Sequence, residues 1–276
     1  MKKGKTLICT MLATAALATS CVSENHSELE PGVTGKGTGM LTIDLKSNLQ
    51  FTANTRAVNE AEYHNTNDYT VQLCREDGDE VFECKVSELK LPYSLPVGER
   101  FTVKAWYGVE HKASRDQFLV EGSAEFTVQS EEQKNLTLTC TPTCGKLTVD
   151  FASDMAKYFE DYSVTYGGTK ALAEETIIWA AGDTEPWYVA LDEEGENITY
   201  TINLTTKEEY AHVEGDQQTT TAKVTGQFKL QRNHAHKLTI RPNYKPGTAG
   251  VEISITIDDS TNDKEIEWEV PTEWIY

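Results

Sequence analysis

From Met40 onward, apolar and polar residues alternate along much of the chain. The first such stretch places Leu41, Ile43 and Leu45 on one parity. The same spacing recurs at 69–73, 101–107, 198–204, 224–230 and 251–257. Successive side chains of a strand point to opposite faces, so this spacing predicts strands with one buried face. Helical signals are sparse, and the best is a short segment that Ser153 or Asp154 would cap. The pattern predicts an all-β, antiparallel protein.

Two pairs of predicted strands resemble each other. GMLTIDL at 39–45 recurs as GKLTVDF at 145–151, and DYTVQL at 68–73 recurs as DYSVTY at 161–166. Two matched strands in the same order favour two duplicated, tandem β-sandwich domains. The alternative is convergence, because alternating strands resemble one another by chance.

The beginning of the chain has the layout of an export signal. A basic start, KKGK, precedes an apolar run over 7–18 that is too short to cross a hydrocarbon core of about 30 Å. ALATSC, which ends at Cys21, is similar to a bacterial lipobox, although its leucine lies one place further from the cysteine than usual. An ordinary signal peptide with an incidental cysteine is the alternative. We predict that Cys21 carries the lipid anchor.

The residues between Cys21 and the first strand lack apolar periodicity and are typical of a flexible tether. The predicted organisation has four parts: a lipoprotein signal peptide at 1–20, the tether at 21–38, a first β-sandwich domain at 39–143 and a second at 144–276.

Charge narrows the choice of partners. The chain has 25 basic and 44 acidic residues, a net charge of −19. Removal of residues 1–20 takes away three lysines and no acid, which leaves 22 basic against 44 acidic residues and a net charge of −22. Nucleic-acid binding needs a basic surface, so that class is excluded. An acidic surface also disfavours direct adhesion to anionic lipid, so attachment to the membrane is expected through the N-terminal lipid.

Four further cysteines remain after the signal and the anchor. A two-residue turn at Asp77-Gly78 would pair Leu73 with Phe82 and Val71 with Cys84, and would place Cys74 and Cys84 on opposite faces. We therefore predict no bond between Cys74 and Cys84. Cys140 and Cys144 bracket Thr-Pro-Thr, and a tight turn there would bring them within disulfide range. They form a candidate disulfide.

The sequence contains no strong catalytic or metal-binding motif. His234 and His236 lie two apart on a predicted strand but lack a third ligand, so we predict no metal site, no cofactor and no enzymatic activity. Aromatic residues are the better lead for binding. Trp106 has outward parity, and Trp274 and Tyr276 follow the last strand, so these three are candidate contacts for a glycan or a protein ligand.

Several stretches carry a resemblance to a known family. They occur in a fixed order: GTGMLTIDL, DYTVQL, LPYSLPVGERFTVKAWYG, VEGSAEFTV, LTLTCTPTCGKLTVDF and MAKYFEDYSVTY. The chain resembles a lipoprotein family of Bacteroidota, domain-of-unknown-function family 4493. Phe101 stands where that family usually has tyrosine.

The family is similar to the fimbrillin-type proteins of the same phylum, which are lipoprotein precursors with two transthyretin-like β-sandwiches. This resemblance implies a lipid-anchored protein on the outer membrane, exposed at the cell surface, with other pilus or surface subunits as partners. Fimbrillin-type precursors are cut after an arginine in the loop that follows the first strand. Arg56 lies in the corresponding polar segment here and is the candidate maturation site. A lone arginine in a long surface loop is the alternative.

Overall fold

The computed structural model describes residues 37–50, 58–214, 217–246, 251–259 and 266–270, and it confirms the all-β expectation. The strands before Thr143 are β1 (Thr38–Ser47), β2 (Thr70–Arg75), β3 (Glu80–Lys85), β4 (Tyr93–Pro96), β5 (Arg100–Tyr107), β6 (Ala113–Ser114), β7 (Val120–Thr127) and β8 (Gln133–Pro142). The later strands are β9 (Cys144–Phe151), β10 (Phe159–Gly167), β11 (Ile177–Ala180), β12 (Trp187–Ala190), β13 (Glu196–Thr206), β14 (His212–Glu214), β15 (Gln217–Thr219), β16 (Thr221–Leu230), β17 (Ala235–Asn243), β18 (Glu252–Asp259) and β19 (Ile266–Val270).

Helices are short and lie between strands. The α-helix α1 (Met155–Tyr158) is a single turn after Asp154, because β10 begins at Phe159. The 3-10 helices are Glu60–His64, Thr66–Asp68, Val86–Glu88 and Glu208–Tyr210. None of the helices in the described ranges has the length and apolar character that a membrane span requires.

The first sandwich is a seven-stranded sheet folded onto itself. Its order is β3-β2-β5-β7-β8-β1-β4, and β7 pairs with β8 only at the two positions Val120–Pro142 and Glu121–Thr141. In a flat sheet, β2 and β1 would lie four strand spacings apart, about 19 Å. Instead, the Tyr69 hydroxyl next to β2 lies 3.2 Å from the Ser47 hydroxyl of β1. The β4-β1-β8 layer therefore covers the β3-β2-β5-β7 layer.

The second sandwich has two separate sheets. One has the order β11-β10-β13-β16, and the other has the order β19-β18-β17-β9-β12-β6. Val164 and Ile202 of the first sheet and Val149 and Leu238 of the second belong to one buried apolar cluster. Alternate residues of β9, β10, β13 and β17 therefore fill the space between the two sheets, as the period-two pattern predicts.

The pairing scheme is the same in the two sandwiches. β1 lies between antiparallel β4 and parallel β8, and β9 lies between antiparallel β12 and parallel β17. In the opposite layer, β3-β2-β5-β7 corresponds to β11-β10-β13-β16. The two matched sequence pairs fall on β1 with β9 and on β2 with β10, and this agreement favours duplication over convergence. The second sandwich adds β18 and β19 beyond β17.

The register predicted for the β2–β3 hairpin is confirmed. Val71 pairs with Cys84 and Leu73 pairs with Phe82, and no disulfide joins Cys74 to Cys84. The turn differs from the two-residue turn that the sequence predicted, because a bulge places Cys74 opposite Glu80. Cys84 is half-buried and not a full core residue, since β3 is the edge strand of its layer.

Candidate functional site: the junction of the two sandwiches

The two sandwiches share side chains and a strand where they meet. β6 comes from the first half of the chain and extends the large sheet of the second sandwich by pairing with β12. In the other direction, the Tyr188 ring of β12 packs into the apolar core of the first sandwich. It stacks on Phe118 with the two ring centroids 4.6 Å apart. Residues from Lys36 onward consequently form one compact unit.

A buried ion pair crosses the junction. Lys146 Nζ on β9 lies 2.6 Å from Glu60 Oε1 on the first 3-10 helix, and the two side chains are only 1% and 9% exposed. The Tyr188 hydroxyl donates a second hydrogen bond to the same carboxylate oxygen, at 2.7 Å. Burial of two charges costs solvation free energy, and close contact with a hydroxyl donor offsets part of that cost. The arrangement fixes the 3-10 helix of the first sandwich against the second.

A second ion pair holds the loop after β6. The Arg115 guanidinium donates to both carboxylate oxygens of Asp183, at 2.7 and 2.5 Å, and its carbon lies 4.7 Å from the centre of the Trp187 ring. The hydrogen bond from Arg115 holds the pKa of Asp183 below its ordinary value of 3.8, against the opposing effect of burial. Bidentate pairing fixes the orientation of the loop as well as its position.

A polar recess opens beside the junction, with a volume of about 310 Å³. Its floor is the outer face of β5, β7 and β8, where Trp106 pairs across the sheet with Glu121. Its wall comes from two loops of the second sandwich and carries Glu193 and Arg232. β7 approaches β8 closely at Gly122, where a Cβ atom would lie 2.4 Å from the Thr139 carbonyl oxygen.

A neighbouring recess of about 450 Å³ also contains Arg232 in its lining. Arg232 therefore stands between the two recesses. Its Nε donates to the Leu191 carbonyl oxygen at 2.7 Å, which anchors the guanidinium to the backbone. Its terminal nitrogens make no hydrogen bond to any residue that the structure describes, so they remain available to a ligand.

The structure corrects the expectation of a Cys140–Cys144 disulfide. No tight turn separates the two residues, because β8 continues to Pro142 and the chain bends at Thr143 into β9, which belongs to another sheet. Both cysteines are buried thiols, and Cys140 Sγ donates to the Ala105 carbonyl oxygen at 3.6 Å. Burial raises the pKa of Cys140 to about 12 and also raises that of Cys144, which keeps both thiols protonated.

Of the remaining predicted site residues, the structure describes Trp106, which is half-buried in the floor of the first recess. Cys21, Arg56, Trp274 and Tyr276 lie outside the described residues. Within the described ranges, no group of three or more histidine, cysteine, aspartate or glutamate side chains could hold a metal ion.

Sequence reasoning missed the junction. Glu60 and Lys146 are 86 positions apart, and neither lies in a motif that points to an ion pair. The only local signal is that the GKLTVDF copy has lysine where the GMLTIDL copy has methionine, Met40. That substitution marks a position whose surroundings differ between the two sandwiches.

Two solved structures are similar to this chain at low sequence identity. A fimbrial assembly protein from Parabacteroides distasonis is 10% identical, with a TM-score of 0.40 over 85% of this chain and 98% of that chain. The fimbrial anchor protein Mfa2 from Porphyromonas gingivalis is 12% identical, with a TM-score of 0.39 over 83% of this chain and 99% of that chain. No curated protein sequence matches. The model of the family described as Domain of unknown function (DUF4493) matches residues 37–272, and the chain belongs to this family.

Proposed function

We propose that this chain is a non-enzymatic, fimbrillin-like protein of the cell surface, held at the outer membrane by a lipid on Cys21. The export-signal layout and the ALATSC stretch support the anchor. The similarity of the family to fimbrillin-type proteins and the duplicated sandwich fold support the surface role. Other pilus or surface subunits are the proposed partners.

The position of β1 carries the proposal. β1 is paired along Met40–Ser47 with β8 and along Thr38–Leu41 with β4, so it is an inner strand of its layer. Leu41 and Ile43 are buried in the core of the first sandwich. β1 precedes Arg56 in the chain. After a cut at Arg56, β1 would be held by non-covalent contacts: sheet pairing, packing and the hydrogen bonds of Asn233 to the backbone of Asn48 and Gln50.

Loss of β1 would leave a groove in the first sandwich. Its sides would be the backbone edges of β4 and β8, and its floor would contain the spaces that Leu41 and Ile43 now fill. An extended segment of another subunit can occupy such a groove through main-chain hydrogen bonds and alternating side-chain pockets. Cleavage at Arg56 followed by strand exchange is therefore the proposed route to assembly. An uncut chain would act as an anchor subunit.

A second candidate function is a stand-alone binding module at the cell surface. The observation that favours it is the recess beside the junction, in which Trp106 and several charged side chains surround one open volume. This function needs the lipid anchor but neither cleavage nor assembly.

The anchor is tested by a Cys21→Ala variant. We expect the variant to leave the membrane fraction while its thermal unfolding stays the same, because Cys21 precedes the folded unit that begins at Lys36. One acyl chain gives only marginal membrane binding, so multiple acylation is expected. Metabolic labelling with a radioactive fatty acid should mark the wild type and not the variant. An unlabelled wild type would contradict the proposed anchor.

A further inference from the structure

We propose that the recess beside the junction is a binding site for a neutral saccharide. Its lining combines the aromatic ring of Trp106 on the first sandwich with the polar side chains of Glu193 and Arg232 on the second. Its volume of about 310 Å³ lies within the range of small-molecule sites, and such sites occur preferentially where two domains meet. This assignment rests on the second candidate function, for which it names the ligand class, and it does not depend on the lipid anchor or on assembly.

The side chains around the recess have unused hydrogen-bonding capacity. Lys104, Glu121 and Glu193 are exposed and make no ion pair or hydrogen bond with any residue in the described ranges. Arg232 is held by its Nε and presents its remaining nitrogens. Carboxylates accept hydrogen bonds, while ammonium and guanidinium groups donate them. Together they match a ligand whose hydroxyl groups both donate and accept.

Trp106 supplies the apolar contact that such a ligand needs. It lies on the outward parity of β5 in the floor, next to Lys104 on the same face. An indole ring is a large, rigid surface with little conformational entropy to lose on binding. A pyranose ring has one face of C–H groups that packs against an aromatic ring, while its hydroxyls point outward to polar partners. The recess provides both kinds of contact.

Other ligand classes fit less well. An apolar ligand would leave Lys104, Glu121 and Glu193 desolvated without partners. A strongly anionic ligand would face two carboxylates, Glu121 and Glu193, whose charges offset those of Lys104 and Arg232. An added peptide strand needs an exposed sheet edge, whereas the floor is a sheet face in which β5 is already paired with β2 and β7. A neutral saccharide has none of these conflicts.

The test is binding of the full chain to an array of neutral oligosaccharides, followed by calorimetric titration with the best-bound member. We expect the wild type to bind at least one member and Trp106→Ala to weaken that binding at least tenfold. Trp106→Phe should retain most of the affinity, because it keeps an aromatic ring. Ile178→Ala is the matched control, since Ile178 is an exposed apolar residue of the second sandwich and is absent from the recess lining.

A second variant probes the opposite wall. Glu193→Ala, at an exposed loop position, should lower affinity several-fold without changing the thermal unfolding temperature. The proposal is overturned if the wild type binds no array member, or if Trp106→Ala and Glu193→Ala both bind as the wild type does. Neither result would bear on the lipid anchor, which is measured by fractionation.

Discussion

The two sandwiches hold equivalent strands in different ways. β1 and β9 each lie between an antiparallel short strand and a parallel long strand, and their sequences match. β9 carries Lys146, whose ammonium is paired with buried Glu60. β1 carries half-buried Met40 at the matching position and precedes Arg56. One scaffold thus contains a strand fixed by a buried ion pair and an equivalent strand without one, which is held by pairing, packing and the hydrogen bonds of Asn233 to the backbone of Asn48 and Gln50.

The largest expected effect is on stability, and it comes from β9, the strand that carries the buried ion pair. Lys146→Met should lower the free energy of unfolding by about 3–5 kcal/mol, because Glu60 would stay buried without its cation. Chemical denaturation measures this loss. Lys237→Met is the matched control on the neighbouring strand β17, because Lys237 pairs with Asp150 at 2.8 Å while both side chains are about half exposed. Its expected cost is under about 1 kcal/mol.

A double variant separates the charge from the packing. Adding Glu60→Gln to Lys146→Met removes the buried charge and keeps an acceptor for the Tyr188 hydroxyl. We expect it to recover much of the lost stability. If Lys146→Met cost no more than Lys237→Met, the buried ion pair would not fix β9 as described.

The next effect compares equivalent core residues. Leu41 of β1 and Leu147 of β9 are both fully buried, so Leu41→Ala and Leu147→Ala should each cost about 2–5 kcal/mol in the uncut chain. Denaturant unfolding of the intact variants checks this. A specific protease sequence inserted after Arg56 then allows the chain to be cut at that point.

In the cut chain, the two variants should behave differently. Leu41→Ala should speed release of the fragment that contains β1, as followed by size-exclusion chromatography, because it removes part of the packing that holds that strand. Leu147→Ala should leave the release rate near that of the cut wild type. Equal release from both variants would mean that β1 is held by something other than its own packing.

The smallest expected effect concerns the Arg115–Asp183 ion pair, which holds the loop after β6. Asp183→Asn should lower stability by about 1 kcal/mol at neutral pH, because a partly exposed charged pair is lost. The pKa of Asp183 lies below 3.8 in the folded state, so its contribution is complete above pH 3.8 and is lost as the pH falls through the folded-state pKa. The difference between the variant and the wild type should therefore shrink in acid.

Glu174→Gln serves as the control for Asp183→Asn. The Lys112–Glu174 pair is strongly exposed, and its atoms are 3.9 Å apart, so its removal should leave the pH profile of stability unchanged. A pH-independent cost of Asp183→Asn would show that its role is packing, with no contribution from charge.

Local pattern predicted much of the fold. Alternation located the strands, and the parity of Val71 and Leu73 gave the register of the β2–β3 hairpin, because one slipped residue would expose a whole apolar face. The bulge at Cys74 could not be predicted in this way, because a bulge adds one residue to a strand without altering the pattern of apolar residues. The Cys140–Cys144 expectation failed because sequence spacing does not show that the chain passes from one sheet to another there.

The site was less accessible to sequence reasoning than the fold. Trp106 was found from its outward parity, which depends only on its own strand. Its polar partners Glu193 and Arg232 come from loops of the other sandwich, and the Glu60–Lys146 pair joins segments far apart in the chain. Contacts of this kind depend on how the two sandwiches pack, which alternation within a strand does not encode.

The most direct test of the central claim is the N-terminus of the protein isolated from its native cells. We predict molecules that begin at Ala57, together with an acylated precursor that begins at Cys21. Mass spectrometry of the intact protein distinguishes the two forms. If every molecule begins at Cys21, β1 is never separated from its covalent connection, and the proposed strand exchange is contradicted.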